Sequence, residues 1–319
     1  MSWRLGRSLH QGRGRRPRWL RRVALAGLLI ALAGGGWVLA RARESHEEAL
    51  ERQGGLGRVH AAAGPGADQR AVVWALGDGA DGSPQAQRLA ERIGRGRVDR
   101  FLYLGDVYEN GTGDEFEDNF APVYERLGRV TSPTPGNHDW PRHEEGYGPY
   151  WSRVQGRAPP SYYALSLGGW TLLSLNSEEP HGPGSAQLRW LDHRLRRGRG
   201  TCRLAFWHRP RYSAGTTHGD QPDVEPLWNT LRGRATLVLN GHEHASQRFR
   251  TIEGLTEIVA GAGSGAEPLY PLRADGRLAF GNDRDLAALR LELQPGRARF
   301  AFGSVDGRTL DSDELRCKS

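Results

Sequence analysis

The chain has 319 residues with 37% hydrophobic content and ten tryptophans, enough for one large domain or two ordinary ones. Its net charge of +7 is smaller than the ten arginines that residues 1–43 carry without a single acid, so everything after Arg43 is slightly acidic. That distribution excludes a domain with a global attraction for nucleic acid, and no nucleic-acid partner is expected.

In chain order, Arg4 to Arg22 hold eight arginines and are followed by an uncharged stretch, Val23–Ala40. Eighteen apolar residues reach the lower limit for crossing a bilayer. The arginine excess in front keeps the N-terminus cytoplasmic. Residues 1–43 therefore read as a basic tail plus signal-anchor, with cleavage near Ala40-Arg41-Ala42 as the alternative. The expected location is outside the cytoplasm, either anchored to the membrane through this helix or secreted after cleavage. Residues 44–70 read as a polar linker, and residues 71–319 as the working domain.

From residue 71 strands and helices alternate. Ala71–Leu76 is a continuous apolar run, as in a strand covered on both faces. Residues 84–93 have helical spacing, with Leu89, Ala90 and Ile93 on one side. Phe101–Leu104 is the next strand. A helix is expected over 114–127, with Phe116, Phe120, Val123, Tyr124 and Leu127 inward, and a third strand over 130–134. Two strands, 162–167 and 170–175, flank Gly168-Gly169 as a hairpin. A helix over 185–195 and strands at 203–207, 236–239, 256–260, 287–293 and 297–303 complete an α/β layered domain. Cys202 and Cys317 are expected to form a disulfide that pins the C-terminal tail to a strand, with two free thiols as the alternative.

The residues just past the strand ends carry the chemistry. Gly77-Asp78 comes after the first strand, Gly105-Asp106 after the second and Gly136-Asn137-His138-Asp139 after the third. His208 closes the strand at 203–207, and Gly241-His242-Glu243-His244 succeeds 236–239. Loops at the C-terminal ends of parallel strands gather on one rim. Two histidines two residues apart on an extended chain aim at one point. The glycines before the polar residues are expected to permit sharp turns and close approach. Carboxylate, imidazole and amide oxygen together suit borderline divalent or trivalent cations rather than a thiolate-type metal.

These five motifs, in this order, resemble those of the calcineurin-like metallophosphoesterases, and most nearly the purple-acid-phosphatase-like bacterial branch. Ser185–Leu191 and Trp207–Gly215 resemble that branch too, and the likeness runs over about residues 71–315. It implies a four-layer α-β-β-α sandwich with two mixed sheets and a metal site at the C-terminal strand edge. It implies two divalent or mixed-valence ions (Fe, Zn or Mn). Asp106 would bridge them, Asp78 and His244 would complete the first site, and Asn137, His208 and His242 the second. His138 would stand beside the phosphate and protonate the leaving oxygen, oriented by Asp139, while a metal-bound hydroxide attacks phosphorus. Asn137, His138 and His218 are the candidate substrate contacts.

Two positions depart from the branch. A histidine is common two residues after the first Asp, where this chain has Ala80. The branch's iron-ligating tyrosine stands three residues after the second Asp, where this chain has Glu109. Tyr108 lies one residue early and either binds the first metal or only packs. The expected activity is an acid-phosphatase-like phosphomonoesterase acting on a small phosphate ester. The alternatives are a phosphodiesterase or pyrophosphatase on the same scaffold, and an anchored binding protein with impaired turnover. His143, His181, Tyr147 and Tyr150 read as surface or packing residues, and Asp81 and Asp283 as turn residues.

Overall fold

The computed structural model describes residues 70–197 and 202–317. The basic tail, the apolar stretch and nearly all of the linker lie outside these residues. Among the described residues, no helix is long and apolar enough to cross a membrane.

Among the described residues, thirteen strands form two sheets. The six-stranded sheet has the order β13-β12-β11-β1-β2-β3 and the seven-stranded sheet the order β10-β8-β9-β7-β6-β5-β4. In the first, β1 (Ala71–Leu76), β2 (Arg100–Tyr103) and β3 (Thr131–Pro133) run parallel, and β11 (Ala287–Gln294), β12 (Arg297–Ser304) and β13 (Thr309–Arg316) extend the sheet antiparallel. In the second, β5 (Trp170–Ser174), β6 (Cys202–Phe206), β7 (Leu237–Asn240) and β9 (Thr256–Ala260) are parallel. The strands β4 (Tyr163–Leu167), β8 (Ser246–Phe249) and β10 (Leu278–Asn282) are antiparallel to their neighbours. Both sheets are thus mixed.

Period-two side-chain alternation sorts each strand between layers. Val73 and Ala75 of β1 face the space between the sheets, with Leu102, Leu204, Phe206, Leu239 and Ile258. Val72, Trp74 and Leu76 face outward, beneath Leu89, Ile93, Phe116, Phe120 and Tyr124 of the covering helices. The seven-stranded sheet turns Leu173, Ala205 and Val238 outward to Trp190, Leu191, Leu227 and Trp228. The result is the expected α-β-β-α sandwich.

The helices begin where local chemistry favours them. Helix α1 (Pro84–Gly94) has proline in its first turn and Ser83 as its N-cap, accepting from Ala86 N–H. The helix expected over 114–127 is a longer and less regular run. It starts with a capping box between Thr112 and Glu115. It then passes through a π-helical turn, Phe116–Phe120, and ends in 3-10 geometry at Val130. Pro122 cannot donate to the carbonyl four residues back, and Ala121 N–H bonds Phe116 O, five residues back. All five residues expected to face inward are buried. Helices α2 (Tyr147–Gln155), α3 (Ala186–Arg196) and α4 (Glu225–Leu231) complete the outer layers.

Cys202 and Cys317 form a disulfide. It ties β6 of one sheet to the residue following β13 of the other. Tyr147 and Tyr150 pack in the outer core, as expected.

Candidate metal centre

The C-terminal ends of β1, β2, β3, β6 and β7 deliver Asp78, Asp106, Asn137, His208 and His242 to one rim, joined by His244. The glycines allow the expected close approach, and Gly105, with φ of 100°, the expected turn, but they are not the only residues in left-handed backbone. Asp78, Asp106 and His242 themselves adopt left-handed backbone, with φ of 59°, 68° and 69°. Such conformations cost on the order of 1–3 kcal/mol each and persist where the surroundings over-determine them. At Gly136 and Gly241 the close approach is direct. A Cβ on Gly136 would run into the Asp106 carboxylate, and one on Gly241 would lie 2.7 Å from Asp78 Oδ2.

Hydrogen bonds orient the donors. Asp78 Oδ2 accepts from His242 N–H (2.8 Å), and Asp106 Oδ1 accepts from His138 N–H (3.0 Å). His208 is fully buried, and its Nδ1–H donates to Leu104 O (2.8 Å). That tautomer leaves Nε2 facing Asp106 Oδ2 at 3.2 Å, Asn137 Oδ1 at 3.1 Å and His242 Nδ1 at 3.2 Å. Similarly, His244 Nδ1–H donates to Pro268 O (3.3 Å), which leaves Nε2 2.7 Å from the Tyr108 hydroxyl and 3.9 Å from Asp78 Oδ1. Tyr108 OH also lies 3.3 Å from Asp78 Oδ1. Two adjoining donor sets result: Asp78, Tyr108 and His244 on one side, and Asn137, His208 and His242 on the other, with Asp106 against the second set.

Four lone-pair atoms converge on one another around His208 Nε2, which is repulsive unless a proton or a metal lies among them. In the metal-free protein burial disfavours charge on His208, but Asp106 and Asp78 outweigh it and raise its pKa to about 10. Asp106 responds in kind: burial works against its ionisation, and His208 and His138 reverse that and lower its pKa. Burial, aided by Asp106, holds Asp78 well above the usual carboxylate range. Burial keeps His244 neutral, with a pKa of about 4, and pushes His242 further down. His242 Nε2 is buried without a partner. The ligand-type atoms of Asp106, His208 and His242 all lie within 4.8 Å of one another. Oxygen and imidazole donors in this arrangement fit a borderline or hard metal.

The Tyr108 hydroxyl contacts Asp78 Oδ1 and His244 Nε2. Ala80 is buried and bridges Val107, so no histidine is supplied from that position. The Asp139 carboxylate makes no hydrogen bond to the His138 ring. It accepts from Asp106 N–H (2.9 Å), Val107 N–H (2.8 Å) and Gly136 N–H (2.9 Å), and so braces two ligand loops against each other. His138 is held instead by the Glu109 carbonyl, which accepts from Nδ1–H at 2.5 Å and turns Nε2 toward Asp106, 3.9 Å away. His218 stacks on His242 with ring centroids 4.1 Å apart and lines the same pocket as His138.

Sequence reasoning missed three contributors. Glu243 is fully buried between the two motif histidines and accepts from Ser213 Oγ and Gly219 N–H, fixing the loop that carries His218. Its place inside the motif was a usable signal. Tyr270, stacked on His244 at 4.2 Å, and Glu267 also line the pocket. They arrive from the segment after β9, where no motif marks them. Asp81 is more than a turn residue: besides Ser83 N–H it binds Ser264 Oγ, Gly265 N–H and Ala266 N–H, 183 to 185 residues away.

A two-sheet sandwich with this rim defines a class, and the comparisons agree. The family model described as calcineurin-like phosphoesterase matches residues 68–246, and the chain belongs to that family. It is 26% identical over 197 residues to "Probable purple acid phosphatase 20" of Arabidopsis thaliana, covering 53% of this chain and 44% of that protein. Among solved structures it superposes on the purple acid phosphatase PPD1 of yellow lupin (Lupinus luteus) with a TM-score of 0.65 at 18% identity, covering 79% of this chain and 55% of that one. It also superposes on GAP50, the anchor in the inner membrane complex of Plasmodium, with a TM-score of 0.64 at 16% identity, covering 78% and 90%. The chain spans less than half of the curated relative it matches. Likeness at these structural identities establishes the fold.

Proposed function

We propose that this chain is an exported, dinuclear-metal phosphomonoesterase. The observation that carries the reading is the pair of adjoining donor sets at Asp106, with the Tyr108 hydroxyl 2.7 Å from His244 Nε2. Asp78, Tyr108 and His244 would hold one cation, Asn137, His208 and His242 the other, and Asp106 both. Bound there, two cations polarise a phosphoryl oxygen and acidify a water. Leu104 O and Pro268 O keep His208 and His244 in the tautomers that present Nε2. With Nδ1–H committed to Glu109 O, His138 has Nε2 left to carry the proton that the departing alkoxide takes. Burial and the charges of Asp78 and Asp106 raise the Tyr108 pKa well above that of a free phenol, so the phenol ionises only against a cation. The cross-sheet disulfide accords with an oxidising compartment. The N-terminal arginines and apolar stretch supply the export signal in this reading, with anchorage or cleavage both compatible.

The test is turnover of an aryl phosphate and its bis-aryl diester after reconstitution with iron, zinc or manganese. Selective monoester cleavage is expected. Preferential diester cleavage would move the assignment to a phosphodiesterase, and two bound metals with no turnover of either would leave an anchored binding protein. In iron-loaded protein, a violet charge-transfer band that disappears in Tyr108→Phe is expected. Its absence from an active iron form would remove Tyr108 from the ligand set.

A further inference from the structure

We propose that the pocket selects small zwitterionic phosphate monoesters whose alcohol carries a positive charge, as in the aminoalkyl class, with Glu109 and Glu267 meeting the cation. This inference rests on the phosphomonoesterase reading and names its substrate class.

The argument begins with the division of charge in the pocket. Around the donor cage its lining adds Glu109, His138, His218, Glu267 and Tyr270, without a lysine or arginine. The floor is the donor cage, to which His242, 4% exposed, presents its Nδ1, 3.2 Å from His208 Nε2. It takes cations and, through them, the phosphate. The remaining wall is lined by two acidic residues, Glu109 and Glu267, and by Tyr270. A substrate bearing further phosphates would need guanidinium or ammonium groups on that wall. An ammonium group is suited to what stands there: carboxylates for charge and an aromatic ring for cation–π contact.

Both acids sit on fastened backbone. Glu109 N–H and Asn110 N–H donate to the Glu115 carboxylate at 2.7 and 3.0 Å, and Thr112 N–H joins them. On the other side, Asp81 grips Ser264, Gly265 and Ala266, and Glu267 N–H donates to Ser264 Oγ at 2.7 Å. Neither of the two arginines nearest the His218 loop lines the pocket, and Arg209 is already paired with an acid. Arg209, which is felt by His218 and His242, is bound to Glu178 at 2.9 and 3.1 Å. Arg273 donates to Ser213 O.

The experiment is calorimetric binding of 2-aminoethylphosphonate and of its isostere propylphosphonate, which lacks the ammonium, to the metal-loaded full chain at low salt. The amino compound is expected to bind about tenfold more tightly, the scale of one solvent-screened charge pair or cation–π contact. The ratio should fall toward unity in the double variant Glu109→Gln/Glu267→Gln. Equal affinities in the wild-type chain, or an unchanged ratio in the double variant, would overturn the proposal. Turnover of an aryl phosphate that lacks a cationic group, in the same preparation, separates the two readings. Turnover without a binding preference refutes only the charge selection. A binding preference without turnover refutes the phosphatase reading and leaves the charge recognition standing.

Discussion

Replacing Asp139 with alanine tests whether this residue is a brace or part of the reaction. The carboxylate is 1% exposed and accepts three backbone N–H groups, from Asp106, Val107 and Gly136. Alanine would leave all three as buried donors without acceptors. At about 1–3 kcal/mol for each unsatisfied group, the loss is roughly 3–6 kcal/mol after some relaxation. For a domain of this size, where 1 kcal/mol shifts the midpoint by about 2–4 °C, Tm should fall by on the order of 10 °C. Asparagine provides the graded comparison. Oδ2 serves both Asp106 and Gly136, so an amide oxygen placed there keeps two bonds and sets its NH2 against Val107 N–H. About half of the alanine effect is expected. Thermal unfolding followed by circular dichroism, with metal-free samples compared, reads both. A Tm within about 2 °C of wild type for Asp139→Ala, together with a large loss of turnover, would refute the bracing role and restore a direct one beside His138.

Three further outcomes are expected. His138→Ala should retain both metals, by elemental analysis, and lose turnover by roughly 10²–10⁴-fold; a near-normal rate would refute its acid role. Metal uptake should release protons, because the metal-free protein holds His208 protonated up to a pKa of about 10. Apparent metal affinity should therefore climb about tenfold per pH unit between roughly pH 6.5 and 10, as measured by chelator competition. For the metal-free fold the sign is opposite: the Asp106–His208 attraction is fully present below the ordinary histidine pKa and is lost as pH rises through about 10. Finally, reducing the Cys202–Cys317 bond, which closes a span of 115 residues, should lower stability by about 2–5 kcal/mol in denaturant titrations.

Much of this protein is legible in its sequence, for identifiable reasons. Strands such as Ala71–Leu76 are apolar throughout because helices cover one face and the second sheet the other. Helices α1 and α3 announce themselves by Ser83 and Ser185 at their caps. Most of the candidate metal donors stand out because they follow such a strand closely, usually behind a glycine that a neighbouring loop crowds. The edge strands were harder to read. Thr309–Arg316 is polar and largely exposed. It is held by its ladder to β12 and by the disulfide just beyond it, so no hydrophobic alternation marks it.

The order and chemistry of the donor motifs, and with them the metal-dependent character of the rim, were set by sequence alone, since ligand type and strand-end position are local properties. Only the tertiary structure decided which atoms meet. It put Tyr108 beside His244, separated by 136 residues. It gave His138 to the Glu109 carbonyl and Asp139 to three backbone amides. It also brought Asp81 to the turn that presents Glu267. These pairings depend on loops from different strands crossing within hydrogen-bond distance, and that distance is fixed by how the two sheets pack.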